Sequence, residues 1–173
     1  MKKNIIITTL ILFSSLTFAQ KKAQKLSDPE IASVAVVANQ IDITAAQMAQ
    51  QKSKNQEVLN FAKTMMADHQ SVIDKATALV TKLGVTPKDN SLSRALNANA
   101  AKTAKSLEAK SGKAFDKAYA SNEVAYHKVV IAAVQKTLIP AAQNAELKAL
   151  LQSILPVLRT HLHHAEMVNK MLK

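Results

Sequence analysis

The chain has 173 residues, of which 48% are hydrophobic and 3% aromatic, with two glycines, four prolines and no cysteine. So few glycines and prolines leave little turn chemistry for a β-rich fold, and the abundant alanine, leucine, lysine and glutamine are good helix formers, so we predict an all-α protein. The lack of cysteine excludes disulfides, thiolate metal sites and cysteine nucleophiles.

Residues 1–19 have the features of a secretory signal peptide. Lys2 and Lys3 precede an apolar stretch over residues 5–16, and the segment ends in Thr17-Phe18-Ala19, which offers small residues where signal peptidase reads them. We expect cleavage between Ala19 and Gln20, export across the inner membrane and a periplasmic location. A retained amino-terminal anchor is the alternative, although the apolar stretch is short for a membrane span.

The mature chain is basic. Removal of Lys2 and Lys3 lowers the count of basic residues from 23 to 21 against 12 acidic ones, which leaves a net charge of +9. A basic surface favours anionic partners such as envelope surfaces or polyphosphate. We do not expect nucleic-acid binding, because the lysines are spread along every segment and no aromatic stacking platform accompanies them. After signal cleavage we do not expect an integral membrane protein.

Caps, apolar spacing and helix breakers divide residues 28–173 into about five helices of a single domain, preceded by a linker over residues 20–27. The predicted helices run from about Asp28 to Gln51, from Ser53 or Asn55 to Leu83, from Asn90 or Ser91 to about Lys110, from about Lys113 to Leu138 before Pro140, and from about Asn144 to the carboxyl terminus. Pro156 should kink or divide the last helix, because a proline removes a backbone donor and crowds the preceding turn. Short connections between the helices predict an up-and-down antiparallel bundle.

The first predicted helix has an apolar stripe that we expect to face the core. Its members recur at helical spacing: Val34, Val37, Ile41, Ala45 and Met48.

The fourth predicted helix has a polar row on its core face. Asp116, Tyr119, Glu123 and His127 are spaced three, four and four residues apart, and the same face continues into apolar residues such as Ile131. A buried carboxylate costs several kcal/mol unless it is paired, hydrogen-bonded or bound to a metal. The row therefore requires partners on other helices.

Four of the five histidines fall on core-facing stripes. His69 follows Asp68 in the second helix, His127 ends the polar row, and His161 and His164 share a face of the last helix, whereas His163 falls on the solvent side. The candidate metal ligands are therefore His69, His127, His161, His164, Asp116 and Glu123, with Asp68, Tyr119 and Asp42 in support. Nitrogen and oxygen ligands without thiolate favour iron, manganese, zinc or copper.

Several motifs resemble an exported bacterial family, domain-of-unknown-function family 4142 (DUF 4142). The matching strings are Phe61-Ala62-Lys63-Thr64-Met65-Met66-Ala67-Asp68-His69, Ala114-Phe115-Asp116-Lys117-Ala118-Tyr119 with Glu123-Val124-Ala125-Tyr126-His127, Leu155-Pro156 with His161-Leu162 and His164-Ala165, and Ala38-Asn39-Gln40-Ile41-Asp42. The resemblance covers roughly residues 28–171. It implies a ferritin-like helical bundle and export, without an established activity.

Two functions remain open at this point. The first is a non-enzymatic structural, binding or stress-related module, in which a buried network of histidines and carboxylates fixes the register of the helices. The second is a transition-metal site built from the inward-facing histidines and carboxylates. No phosphate loop or nucleophile motif indicates an enzyme.

Overall fold

A computed structural model describes residues 25–172, so the predicted signal peptide and its cleavage site lie outside the described residues. The helices are α1 (Asp28–Lys52), α2 (Gln56–Lys82), α3 (Ser91–Glu108), α4 (Gly112–Ala133), a π-helical segment (Val134–Leu138), the short α5 (Ile139–Ala141) and α6 (Ala145–Met171). Between residues 25 and 172 there is no strand. The predicted all-α antiparallel bundle is confirmed.

Capping side chains begin four of the helices where the sequence predicts them. The Glu30 carboxylate accepts hydrogen bonds from the backbone N–H and the hydroxyl of Ser27, at 2.9 and 2.7 Å. The amide oxygens of Asn55, Asn90 and Asn144 each accept from two N–H groups of the turn that follows. Because the first N–H groups of a helix have no partner within the helix, these contacts fix where α1, α2, α3 and α6 start.

The core consists of two apolar clusters at opposite ends of the bundle. The first apolar cluster contains the end of α1, the start of α2, the start of α4 and the end of α6, and its largest members are Phe61, Met65, Phe115 and Tyr119. The second apolar cluster contains the other ends of the same helices, including Ile31, Ile131 and Leu151. Between the two clusters, at mid-height, lies a polar layer made of Asp42, His69, Glu123, His127 and His161, all buried.

The predicted apolar stripe of α1 is confirmed at Val34, and Ala45 and Met48 pack against the first apolar cluster, whereas Val37 and Ile41 belong to neither cluster. The buried residues of α1 are mostly small: Ile31, Ala32, Ser33, Val34, Ala38, Asn39, Asp42, Ile43, Ala46 and Ala49. Val37, Ile41, Ala45 and Met48 are only partly buried and line a groove of about 700 Å³ between α1, α3 and α4. Alanines allow α2 to approach α1 closely, so the larger side chains are left on the face that α3 covers loosely.

Two prolines lie inside helical structure. The fourth helix was predicted to end before Pro140, but helical structure continues to Ala141 because the intervening turn is π-helical, with the N–H of Ile139 bonded to the carbonyl of Val134. The wider turn tolerates a residue that has no N–H to donate. Helix α6 runs through the exposed Pro156 without division, and a bend at this proline stays a prediction.

Candidate metal centre

Four helices each contribute to the polar layer at mid-height. Asp42 lies on α1, His69 on α2, Glu123 and His127 one turn apart on α4, and His161 on α6. These five residues have between 0% and 4% of their surface exposed. The layer is therefore a set of ionisable groups held away from water by the apolar clusters above and below it.

The hydrogen bonds of Asn39 determine the tautomer of His69. The Asn39 amide nitrogen donates to the carbonyl of Ala35 at 2.8 Å, so the amide oxygen faces the Nδ1 atom of His69, 2.7 Å away. Nδ1 must carry the proton and donate it to this oxygen. The Nε2 atom of neutral His69 then keeps its lone pair, and it has no hydrogen-bond partner among residues 25–172.

The other two imidazoles follow the same arrangement. His127 Nδ1 lies 2.9 Å from the carbonyl oxygen of Glu123, and His161 Nε2 lies 2.9 Å from a carboxylate oxygen of Asp68. Both acceptors require a protonated ring nitrogen. Consequently His127 Nε2 and His161 Nδ1 keep bare lone pairs, and within the described part of the chain both are buried without a partner. Acceptors that fix the outer nitrogen in this way are typical of metal-bound histidines.

The three imidazoles converge, and the Asp42 carboxylate lies beside two of them. The ring centroids of His69, His127 and His161 lie 5.1 to 5.7 Å apart, and one nitrogen from each ring lies within 4.8 Å of the others. The Oδ2 atom of Asp42 is 3.4 Å from His69 Nε2 and 3.6 Å from His127 Nε2.

Both spacings exceed the length of a hydrogen bond between oxygen and nitrogen, which is about 2.7–3.2 Å. The edge of a tetrahedron of ligands around a metal is about 3.3–3.4 Å when each bond is about 2.0–2.1 Å long, so the first spacing matches it and the second is slightly longer. The three imidazoles form one group of possible metal ligands, and Asp42, Glu123 and His127 form a second group that shares His127 with it.

Burial keeps the histidines neutral. It lowers the pKa of His69 to about 3, helped by the nearby imidazoles of His161 and His127, and it lowers the pKa of His127 to about 4. Burial also lowers the pKa of His161, although the hydrogen bond to the Asp68 carboxylate opposes the shift. At neutral pH all three rings are in the form that binds metal ions.

The two buried carboxyl groups share one proton. Burial and the adjacent charge of Asp42 raise the pKa of Glu123 well above its usual value, whereas burial raises the pKa of Asp42 only to about 7, because the adjacent Glu123 carboxyl group opposes the shift. Glu123 thus holds the proton and Asp42 is the carboxylate that ionises near neutral pH. Asp42 supplies the negative charge of the site.

The structure separates the predicted ligands into two groups. It brings His69, His127, His161 and Glu123 together and places Asp42, predicted only in support, beside His69, His127 and Glu123. His164 and Asp116 lie outside the cluster: the His164 ring packs edge-on against Phe61 with centroids 5.0 Å apart, and Asp116 is buried near the start of α4.

The structure also shows what the residues predicted in support of the site contact. Tyr119 packs against Phe61 and Phe115 in the first apolar cluster, and Asp68 is the half-exposed acceptor for His161. Sequence reasoning missed the role of Asn39. The sequence contains a signal for this role, because Asn39 precedes Asp42 by three residues and therefore lies on the same face of the helix. His163 is exposed, as predicted.

These features define a class: an antiparallel helical bundle with a buried cluster of histidines and carboxylates at mid-height. The family model described as "Domain of unknown function (DUF4142)" matches residues 14–168, and the chain belongs to this family, as the motifs predicted. None of the curated proteins matches the chain.

A solved structure described as "CopM in the Cu(II)-bound form" has the same fold. It superposes with a TM-score of 0.63 and 15% sequence identity, over 84% of this chain and 98% of that one. This likeness supports the bundle architecture. Among the described helices none is sufficiently long and apolar to cross a bilayer.

Proposed function

We propose that this protein binds one transition-metal ion inside its helical bundle, with His69, His127, His161 and Asp42 as ligands. The observation that carries the proposal is the set of bare nitrogens: each imidazole donates one N–H to an acceptor and keeps the other nitrogen buried without a partner, and those of His69 and His127 lie beside the Asp42 carboxylate. The metal would act as an electron-pair acceptor for these four atoms. It would also remove the cost of burying them without partners.

The ligand set favours copper or zinc over manganese or iron. Three imidazoles and one carboxylate form a borderline nitrogen-rich site, and affinities for divalent ions at such sites rise along the first transition row to copper. The structural neighbour is described in its Cu(II)-bound form, which supports the same choice. We therefore expect Cu²⁺ to bind most tightly, and Zn²⁺ to bind in the same tetrahedral arrangement.

A purely structural network accounts less well for the polar layer. A network that only fixed the register of the helices would pair its polar atoms with one another. Instead, among residues 25–172, three imidazole nitrogens and both Asp42 oxygens lack a hydrogen-bond partner. Each unpaired buried polar group costs about 1–3 kcal/mol, so a bundle without a ligand gains little from keeping them.

We further propose that the protein acts outside the cytoplasm. This proposal depends on the signal-like features of residues 1–19 and on the family resemblance. The basic surface remains a proposed contact for anionic envelope components.

The test uses two histidines of α6. The full chain is expressed with export, purified without chelators from copper- and zinc-replete cells, and analysed for metal content and affinity, alongside His161→Gln and His164→Gln. We expect one equivalent of metal in the wild type and in His164→Gln, and an affinity at least about tenfold lower in His161→Gln. The two residues are three positions apart, so His164→Gln is a matched control. A wild-type protein without stoichiometric metal, or equal affinities in both variants, would contradict the proposal.

A further inference from the structure

An apolar cavity adjoins the histidine cluster. It has a volume of about 70 Å³, and its lining includes His69, His127 and His161 together with apolar side chains such as Val34, Leu96 and Leu151. Two other lining residues, Val129 and Val157, have 58% and 39% of their surface exposed. The cavity therefore extends from the surface of the bundle to the buried imidazoles.

Apart from the imidazoles, the polar side chains that line this cavity already have hydrogen-bond partners. The hydroxyl of Tyr126 donates to the carbonyl of Ala38 at 2.7 Å, and both polar atoms of the Asn39 side chain are hydrogen-bonded. The remaining polar atoms are the imidazole nitrogens that a metal would occupy. A water molecule needs two to four polar partners to be stable in a cavity. With the metal bound, this cavity offers water none from its own walls.

The size and the polarity of the cavity together determine which kind of molecule it can bind. An apolar cavity of about 150 Å³ stays dry and holds benzene or xenon, so a cavity of about 70 Å³ holds a single atom or a diatomic molecule. Ions do not enter apolar space without a partner. They have a separate polar approach at Asp68, whose carboxylate is 45% exposed and bonded to His161.

We propose that this cavity binds a neutral diatomic molecule, of the class of dioxygen, nitric oxide or carbon monoxide, and presents it to the three-histidine cluster. That the molecule meets a metal there depends on the proposed function. The size of the cavity and its apolar walls do not, because they are formed by the chain. The proposal concerns binding alone.

Xenon is the probe, because it is neutral, apolar and of suitable size. Crystals of the full-length protein as exported are pressurised with xenon, and its anomalous density is compared between the wild type, Ala133→Leu, Ala35→Leu and Ala132→Leu. Ala133 and Ala35 line the cavity on α4 and α1, whereas Ala132 is equally half-buried and does not. Leucine at either lining position adds three carbon atoms to the space. Two filling variants are used so that one remains if the other fails to fold.

We expect xenon beside His127 in the wild type and in Ala132→Leu, and none in either filling variant. Absence of xenon from the wild type, or equal occupancy in all four proteins, overturns the proposal. Metal content is measured on the same samples. Xenon binding without metal binding supports the cavity and refutes the metal site, and metal binding without xenon does the reverse.

Discussion

Replacing Asp42 by asparagine should stabilise the metal-free protein and weaken the metal-bound one. The pKa of Asp42 rises from its usual 3.8 to about 7 on folding, and at about 1.4 kcal/mol per unit this shift costs the folded state about 4 kcal/mol at pH 8. Asparagine removes the charge but leaves a buried amide that costs about 1–3 kcal/mol if unpaired. The expected net gain is about 1–3 kcal/mol, or roughly 2–12 °C in melting temperature for a domain of this size.

The same substitution removes the negatively charged ligand. We expect metal affinity to fall by at least about 100-fold, because even the loss of a group that only orients a ligand costs about 10–100-fold. A ligand at 100 times its dissociation constant stabilises the folded state by about 2.7 kcal/mol. The metal-induced rise in melting temperature should therefore be large in the wild type and absent in Asp42→Asn.

The assay is thermal unfolding at pH 8, without metal and with free metal at about 100 times the dissociation constant of the wild type, for the wild type, Asp42→Asn and Asp116→Asn. Asp116 is a second buried aspartate that lies outside the cluster, so its variant should retain the metal-induced stabilisation. The reasoning is refuted if Asp42→Asn melts below the wild type without metal, or if both aspartate variants respond to metal equally.

Three further predictions concern acidity, the shared proton and the proline of α6. Between pH 6 and 4, neutral His69 and His127 disfavour the folded state by about 2.7 kcal/mol per pH unit, since the unfolded chain takes up protons at its ordinary pKa of 6.5. The raised pKa values of Asp42 and Glu123 oppose this loss, because the folded state binds their protons at a higher pH than the unfolded chain does. In denaturant titrations of the metal-free protein, His69→Gln should therefore lose less stability than the wild type over this interval, by about 1 kcal/mol per pH unit; a larger loss in the variant would disprove this sign. Glu123→Gln keeps a neutral polar group beside Asp42 and should hold metal affinity within about tenfold in competition titrations, whereas Glu123→Leu should cost about 10–100-fold; equal losses would contradict a neutral Glu123 with a polar role. Pro156→Ala should raise the free energy of unfolding by about 1–3 kcal/mol in urea titrations, because an interior proline costs a helix about 3 kcal/mol, and an unchanged midpoint would show that α6 carries no such strain.

Helical spacing identified the polar face of α4 but not the height of each residue along the helix. Asp116 and His127 share a face, yet eleven residues separate them, which is about 16 Å at 1.5 Å per residue. Asp116 therefore lies near the start of α4, away from the cluster at mid-height. In the same way His164 lies one turn beyond His161, opposite Phe61. A pattern within one helix cannot show which level faces the residues of another helix.

The place of Asp42 in the cluster was harder to predict, because large apolar residues usually mark the core face of a helix. On α1 the large residues Val37 and Ile41 line the groove beneath α3, while alanines such as Ala38 and Ala46 flank Asp42 on the buried face. Close packing of α1 and α2 depends on the small size of the alanines, and hydrophobicity alone does not reveal it. The helix boundaries were easier, because Asn55, Asn90 and Asn144 mark them locally.

One consequence follows from the position of α3. It contributes no residue to the polar layer, and only two of its residues, Ser93 and Leu107, are buried. Segments with few buried contacts open locally at a free energy well below that of global unfolding. Because Leu92 and Leu96 of α3 line the cavity, we expect α3 to detach and uncover the cavity while the four helices of the polar layer stay assembled. Amide hydrogen exchange would then be fast along α3 and insensitive to metal. Entry and exit of small molecules would depend on the opening of α3, whereas release of the ion would require the four helices of the polar layer to separate.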